Sequence, residues 1–217
     1  MLLEFAHQQI NITKLFVIIC YYLLLFVIIC YYLLYYFLTY IKNILFIINI
    51  FMNKLNNDWT CWIHYQNDND WTLDSYKLIS KFSYLKEITL IIENLHESII
   101  KKTMIFFMKD TILPLWETQD NIDGGCFSYK ISNTNIVSIF KILVYKIVGN
   151  TLSADEIINT NINGISISPK KNFCIIKIWM KKKDCFDNFD ASSNKDPFAI
   201  HNIFAIEEQI CVFKQHK

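Results

Sequence analysis

Leu15–Leu38 is an uninterrupted stretch of 24 apolar residues, and it constrains this chain more than any other feature. As an α-helix rising about 1.5 Å per residue it would span about 36 Å, enough to cross a bilayer. It contains an exact tandem duplication: Leu15-Phe-Val-Ile-Ile-Cys-Tyr-Tyr-Leu-Leu24 is followed by the same ten residues from Leu25 to Leu34. A second apolar run covers Ile44–Met52, and Lys14 and Lys42 flank the long stretch almost symmetrically, so charge sets no orientation. There is no small-residue cleavage site, and the stretch is too long for a signal peptide. Two readings stay open. The leader is a membrane anchor, or the duplication marks a recent DNA repeat and translation starts at Met52-Asn53-Lys54. Of the first 57 residues 42 are apolar, against 53% for the whole chain, which leaves the other 160 at about 46%. That is the composition of an ordinary soluble domain. The expected division is therefore a leader at 1–57 and a domain at 58–217.

Composition narrows what that domain does. There are 21 basic residues, all Lys, against 20 acids, for a net charge of +1. A near-neutral balance argues against a sequence-blind grip on long nucleic acid. The four glycines, Gly124, Gly125, Gly149 and Gly164, make neither GxGxxG nor GxxxxGK spacing, which excludes the common phosphate-cradling loops. The missing Arg and abundant Ile, Asn and Lys look like an AT-rich coding sequence, so each Lys is read as a stand-in for Arg. Seven cysteines form no CxxC and no Cys/His ligand spacing, which fits a reduced protein with buried thiols. His7, His64, His96, His201 and His216 are scattered without nucleophile–base or metal spacing. Neither an enzyme, a metal nor a cofactor is expected.

Periodicity gives the elements. Trp59–Tyr65 and Trp71–Phe82 read as strands around the polar turn Gln66–Asp70. From Ser83, a plausible N-cap, Leu85, Ile88, Ile92, Leu95 and Ile99 recur every three or four residues and predict one helix to about Lys101. Met104–Lys109 and Cys126–Ser132 are expected strands, the second after a Gly124-Gly125 turn. Asn135–Val148 is an expected helix ended by a left-handed Gly149. Ile162–Ser168 and Phe173–Met180 flank the hairpin turn Pro169-Lys170-Lys171-Asn172, Lys181–Pro197 is a charged loop, and Ile210–Lys214 is a last strand. The order implies an α+β antiparallel sheet with helices on one face and the other face free.

Three tryptophans sit beside distinctive polar groups: Trp71 after an Asn/Asp-rich turn, Trp116 before Glu117, and Trp179 after a Lys-Lys hairpin. Two indoles can sandwich a purine, and a positively charged base adds about 0.5–2 kcal/mol per ring. A carboxylate accepts from the guanine edge, and lysines neutralise phosphates.

Trp59-Thr-Cys-Trp62-Ile-His, Asn67-Asp-Asn-Asp-Trp71 and Tyr76-Lys-Leu-Ile-Ser-Lys-Phe82 resemble the start of the eukaryotic translation initiation factor 4E family, the messenger RNA cap-binding proteins. Leu113-Pro-Leu-Trp116-Glu117 with Gly124-Gly125, and Gly164 through Lys170 to Trp179, look like its later motifs, over about residues 55–180. The resemblance implies a curved antiparallel sheet with helices on the convex face and the mRNA 5′ cap in the concave face. It places Trp71 and Trp116 on the two faces of 7-methylguanine, Glu117 on the guanine edge and Trp179 at the methyl group. Lys170 falls on a phosphate-binding position, with Lys171 beside it. The family's second phosphate cation aligns with Ile175, and Lys177, on the same strand face, is the expected substitute. The basic residue after the paired glycines is replaced by Cys126.

The partner-binding convex face departs further from the family. An exposed Trp aligns with Thr89 and an apolar residue with Lys141, while Leu55 and Leu85 keep apolar character. The expectation is a cytoplasmic cap-binding initiation factor with an altered scaffold contact. A cap-sequestering repressor or host-shutoff protein and a membrane-anchored RNA-binding adaptor are the alternatives, the last only if the leader is expressed.

Overall fold

The computed structural model describes residues 2–182, 197–200 and 211–216. Cys185, His201 and most of the Lys181–Pro197 loop lie outside them. The chain divides into two compact units, Met1–Phe51 and Met52–Lys217.

The first unit is a single helix, α1 (Leu2–Met52). Within it Ile19–Asn49, with mean hydropathy 2.1 and none of its apolar core buried, is long and apolar enough to cross a membrane. The candidate span overlaps the Leu15–Leu38 run. Thr39, which ends that run, does not interrupt the helix, because its hydroxyl donates back to the carbonyls of Tyr35 and Tyr36 at 2.6 and 3.1 Å.

The second unit is a curved seven-stranded sheet. Its strands are β1 (Lys54–Tyr65), β2 (Lys77–Tyr84), β3 (Thr103–Lys109), β4 (Gly125–Ser132), β5 (Ile162–Pro169), β6 (Phe173–Met180) and β7 (Cys211–Gln215). They pair in the order β2-β1-β3-β5-β6-β4-β7, every described pair antiparallel. Alternation along each strand sorts the two faces. Trp59 and Cys61, Ile105 and Phe107, Phe127 and Tyr129, and Ile176 and Ile178 enter the main core. Against that core packs α4 (Ile136–Val148), which buries Ile136, Ile139, Phe140, Leu143, Val144 and Ile147 at helical spacing. The intervening residues Phe106, Met108, Cys126 and Trp179 join Tyr76 in a smaller cluster on the opposite face.

Four local readings are corrected. Ser83 is not a helix cap. It belongs to β2, and helix α2 (Leu85–Asn94) is started by Glu87, whose carboxylate accepts from the backbone N–H of Ser83 and Tyr84 at 2.8 and 3.0 Å. The expected single helix to Lys101 breaks at Leu95, and a short helix α3 (Glu97–Ile100) restarts with the His96 imidazole accepting from Ser98 N–H. Trp71 is not in a strand: a 3-10 turn at Leu73–Ser75 separates it from β2. Gly149 keeps a negative φ of −82°, and Asn150, at φ 53°, takes the left-handed position after α4. A further helix, α5 (Glu156–Thr160), capped by the Asp155 carboxylate, carries no apolar period long enough to read.

The paired glycines serve proximity rather than left-handed geometry, since no glycine has positive φ. A Cβ on Gly124 would lie 1.8 Å from the Met180 carbonyl oxygen, and one on Gly125 would lie 2.5 Å from the Phe213 ring and 2.7 Å from the Lys214 carbonyl oxygen. Here β4 begins wedged between the end of β6 and β7.

Candidate functional site

The concave face carries a cavity of about 320 Å³. Its walls include Trp116, Trp179 and Lys177, three of the residues singled out from sequence, together with Cys126, Lys214 and His216.

Trp116 is held there by a loop that folds around one side chain. Asn121 is fully buried, and its amide donates to the carbonyls of Leu113 and Leu115 at 3.0 and 2.8 Å. Its Oδ1 in turn accepts from Asn163 on β5 at 2.9 Å. The backbone on both sides of Pro114 is thereby tied to the sheet, while the Trp116 ring stays 43% exposed. Asn121→Ala should cost about 2–3 kcal/mol, because buried carbonyls lose their donor. Urea unfolding measures that loss, and a red shift of tryptophan emission should accompany it.

Trp179 is the floor. It is 5% exposed, and its indole N–H donates to Ser166 Oγ at 3.0 Å. From it a chain of ring contacts crosses the face: Phe106 at 6.3 Å, then Tyr76 at 5.4 Å, His64 at 4.8 Å and Trp71 at 4.4 Å between successive centroids. The last pair is a parallel stack with an interplanar angle of 8°. Trp71 lies outside the cavity lining and is 54% exposed, one face against His64. Its loop is built by aspartates: Asp68 accepts from Asp70 N–H, and Asp70 accepts from both Thr72 N–H and its hydroxyl. Those two Thr72 bonds hold the Asp70 carboxyl below its usual range. His64 Nε2–H donates to the Asp70 carbonyl at 2.8 Å, which secures the platform under Trp71.

Glu117 is exposed beside Trp116, and its charge reaches both Tyr76 and His216. The Tyr76 hydroxyl is pushed up to about 12, first by burial and then by Glu117. Lys170 and Lys171 sit at the exposed tip of the β5–β6 hairpin and do not line the cavity. Leu55 and Leu85 pack partly against the main core. Thr89 donates to the Leu85 carbonyl, and Lys141 pairs with Glu93 at 3.1 Å, the same carboxylate that accepts from Tyr145.

His216 was not singled out from sequence as a site residue. β7 pairs with β4 and brings it to Cys126, 90 positions away, with Sγ and Nε2 3.1 Å apart. Its Nδ1 lies 2.7 Å from the Asn121 carbonyl, which can only accept, so Nδ1 carries the proton and Nε2 receives the Cys126 S–H. Burial pushes that thiol up to about 12, so the pair holds a protonated thiol and a neutral imidazole rather than a nucleophile and its base. Burial also lowers His216 from 6.5, outweighing the opposing Asn121 hydrogen bond. Unfolded His216 therefore takes up its proton first on acidification. Its contribution is fully present above about pH 6.5 and lost as pH falls through the lower folded value. The melting temperature should drop between pH 7 and 5, and His216→Gln should flatten that dependence.

The sequence matches the family described as Eukaryotic initiation factor 4E over residues 54–217. It is 26% identical over 140 residues to the "Eukaryotic translation initiation factor 4E" of Saccharomyces cerevisiae, covering 61% of this chain and 63% of that protein. It is 29% identical over 141 residues to the protein of the same name from Dictyostelium discoideum, covering 61% and 54%. The chain thus spans less than two thirds of the length of these relatives. Its fold is similar to C. elegans eIF4E-3 in complex with the 4E-binding protein Mextli, with TM-score 0.62, 16% identity, and 76% and 94% of the two chains covered. It is also similar to a schistosome eIF4E complexed with m7GpppG and 4E-BP, with TM-score 0.61, 17% identity, and 75% and 87% covered. With its family match running from the first residue of β1 to the end, this chain belongs to the eukaryotic initiation factor 4E family.

Proposed function

We propose that this chain binds the 7-methylguanosine cap of messenger RNA and acts as a translation initiation factor. The observation that carries the reading is the cavity itself: an exposed Trp116 beside Glu117, over a Trp179 floor, with lysine in the wall. In this reading Trp116 and Trp71 stack on the two faces of the methylated base, and the base's positive charge strengthens each stack. Glu117 accepts from the guanine edge, and the Trp179 ring contacts the methyl group. Lys177 attracts the phosphates, with Lys170 and Lys171 further along their path. Relatives named as translation initiation factors, and neighbours crystallised with m7G or m7GpppG, support the same reading.

Scaffold and repressor proteins of translation are the proposed partners on the convex face. There Thr89 is bonded back onto its own helix and Lys141 is engaged by Glu93, so a docking helix would meet Leu90, 67% exposed, rather than an exposed Trp. The proposed place of work is the cytoplasm, with Ile19–Asn49 as the candidate anchor to a membrane. Retention of the full chain on immobilised 7-methyl-GTP, and elution by free 7-methyl-GTP but not GTP, is the expected result. Failure to be retained, or equal elution by both nucleotides, would contradict it.

A further inference from the structure

The geometry points to an anion subsite in the cavity wall formed by Lys177 and Lys214, which holds the phosphate chain of the nucleotide from the β7 side of the sheet. This deepens the cap-binding reading and rests on it for the identity of the anion.

Strand register places the two lysines. Cys126 on β4 lies opposite Trp179 on β6 and opposite Lys214 on β7, and Ser128, two residues on, lies opposite Lys177. Residues two apart share a face, so Lys177, Trp179, Ser128, Cys126 and Lys214 all belong to the concave side. The residues between them, Phe127, Ile178 and Phe213, pack in or against the main core. Lys177 and Lys214 flank β4 at two strand spacings, roughly 10 Å in the direction across the strands. Two flexible stems can close that gap around a phosphate chain, with the Ser128 hydroxyl between them.

Charge makes the same point. The ion pairs among the described residues are Lys101–Glu97 and Lys141–Glu93, so no described acid pairs with either cavity lysine. Two ammonium groups on a pocket whose other lining groups, the Trp116 and Trp179 rings, Ser128, Gln215, a protonated thiol and a neutral imidazole, carry no charge attract a polyanion. The hairpin lysines are less well placed. Lys170 lies four residues beyond Ser166, the β5 partner of Lys177, about 13 Å further along the sheet. Lys214 also stands directly across from Cys126, so β7 brings its positive charge to the strand that carries the cavity thiol.

Isothermal titration of the full chain with four probes tests this: 7-methylguanosine, 7-methyl-GTP, GTP and inorganic tripolyphosphate. Lys214→Gln should weaken 7-methyl-GTP and tripolyphosphate about tenfold and leave the nucleoside unchanged, and Lys214→Arg should restore binding. Lys170→Gln should have a smaller effect. Unchanged affinities in Lys214→Gln, or an equal loss for the nucleoside, would overturn the assignment. So would a wild-type chain that binds no tripolyphosphate and gains nothing from phosphates on the nucleoside. If tripolyphosphate binds in a Lys214-dependent way while methylated and unmethylated nucleotides bind alike, the subsite stands and the cap reading fails.

Discussion

Gly124→Ala should strongly destabilise the sheet unit. The new Cβ would sit 1.8 Å from the Met180 carbonyl oxygen, with Met180 C and Lys181 C at 2.9 and 3.0 Å, all of them backbone atoms. A rotamer change cannot relieve such a clash. Either β4 or the end of β6 must shift, and that shift breaks the Gly125–Met180 end of their register and displaces Trp179 next to it. A loss of about 4 kcal/mol or more is the expected scale, a large share of a domain's whole stability. Circular dichroism in urea measures it. Gly149→Ala is the control. Its Cβ would meet Tyr145 O at 3.1 Å at an exposed site with negative φ, so its effect should stay within about 1 kcal/mol. A Gly124→Ala variant that melts like wild type would mean that the two strands are not packed as described.

Trp116→Ala should weaken binding of 7-methyl-GTP while leaving the fold intact. The ring is 43% exposed, and its loop is held by Asn121 through backbone carbonyls, so truncation releases no core contact. Base–aromatic stacking is worth about 1–3 kcal/mol per base by alanine substitution, so affinity should fall roughly tenfold to hundredfold. Trp71→Ala should fall in the same range. His64→Ala, which removes the platform beneath Trp71 together with the Asp70 hydrogen bond and the Tyr76 contact but no ring that meets the base, should cost less. Equal binding by Trp116→Ala and wild type would place the ligand elsewhere.

The fold was readable in the sequence wherever period and length agreed. Phe127, Tyr129 and Ile131 alternate and Ile139, Phe140, Leu143 and Val144 repeat helically, and these are core residues of β4 and α4. Misreadings arose where local hydrogen bonds override pattern. Trp71 looked like a strand residue because aromatics favour strands, but the Asp68 and Asp70 side chains bend the chain there. The apolar period running through Leu95 and Ile99 hid the break that His96 creates. In the candidate site, Trp116, Trp179 and Lys177 were nameable because short motifs carry them, and they do line one cavity. Lys214 and His216 were not, since only the long-range pairing of β7 with β4 brings them to Cys126. The scattered histidines carry no catalytic or metal spacing, and two of the five, His64 and His216, support rings of the concave face.

Aromatic rings on the concave face should select a positively charged purine. Tryptophan-fluorescence titration of the full chain with 7-methyl-GTP and with GTP, at one salt concentration, tests it most directly. The two ligands carry the same phosphates, so a difference reports the base alone. The methylated nucleotide should bind at least about tenfold more tightly, from cation–π gains at two rings. Equal affinity for the two would contradict it.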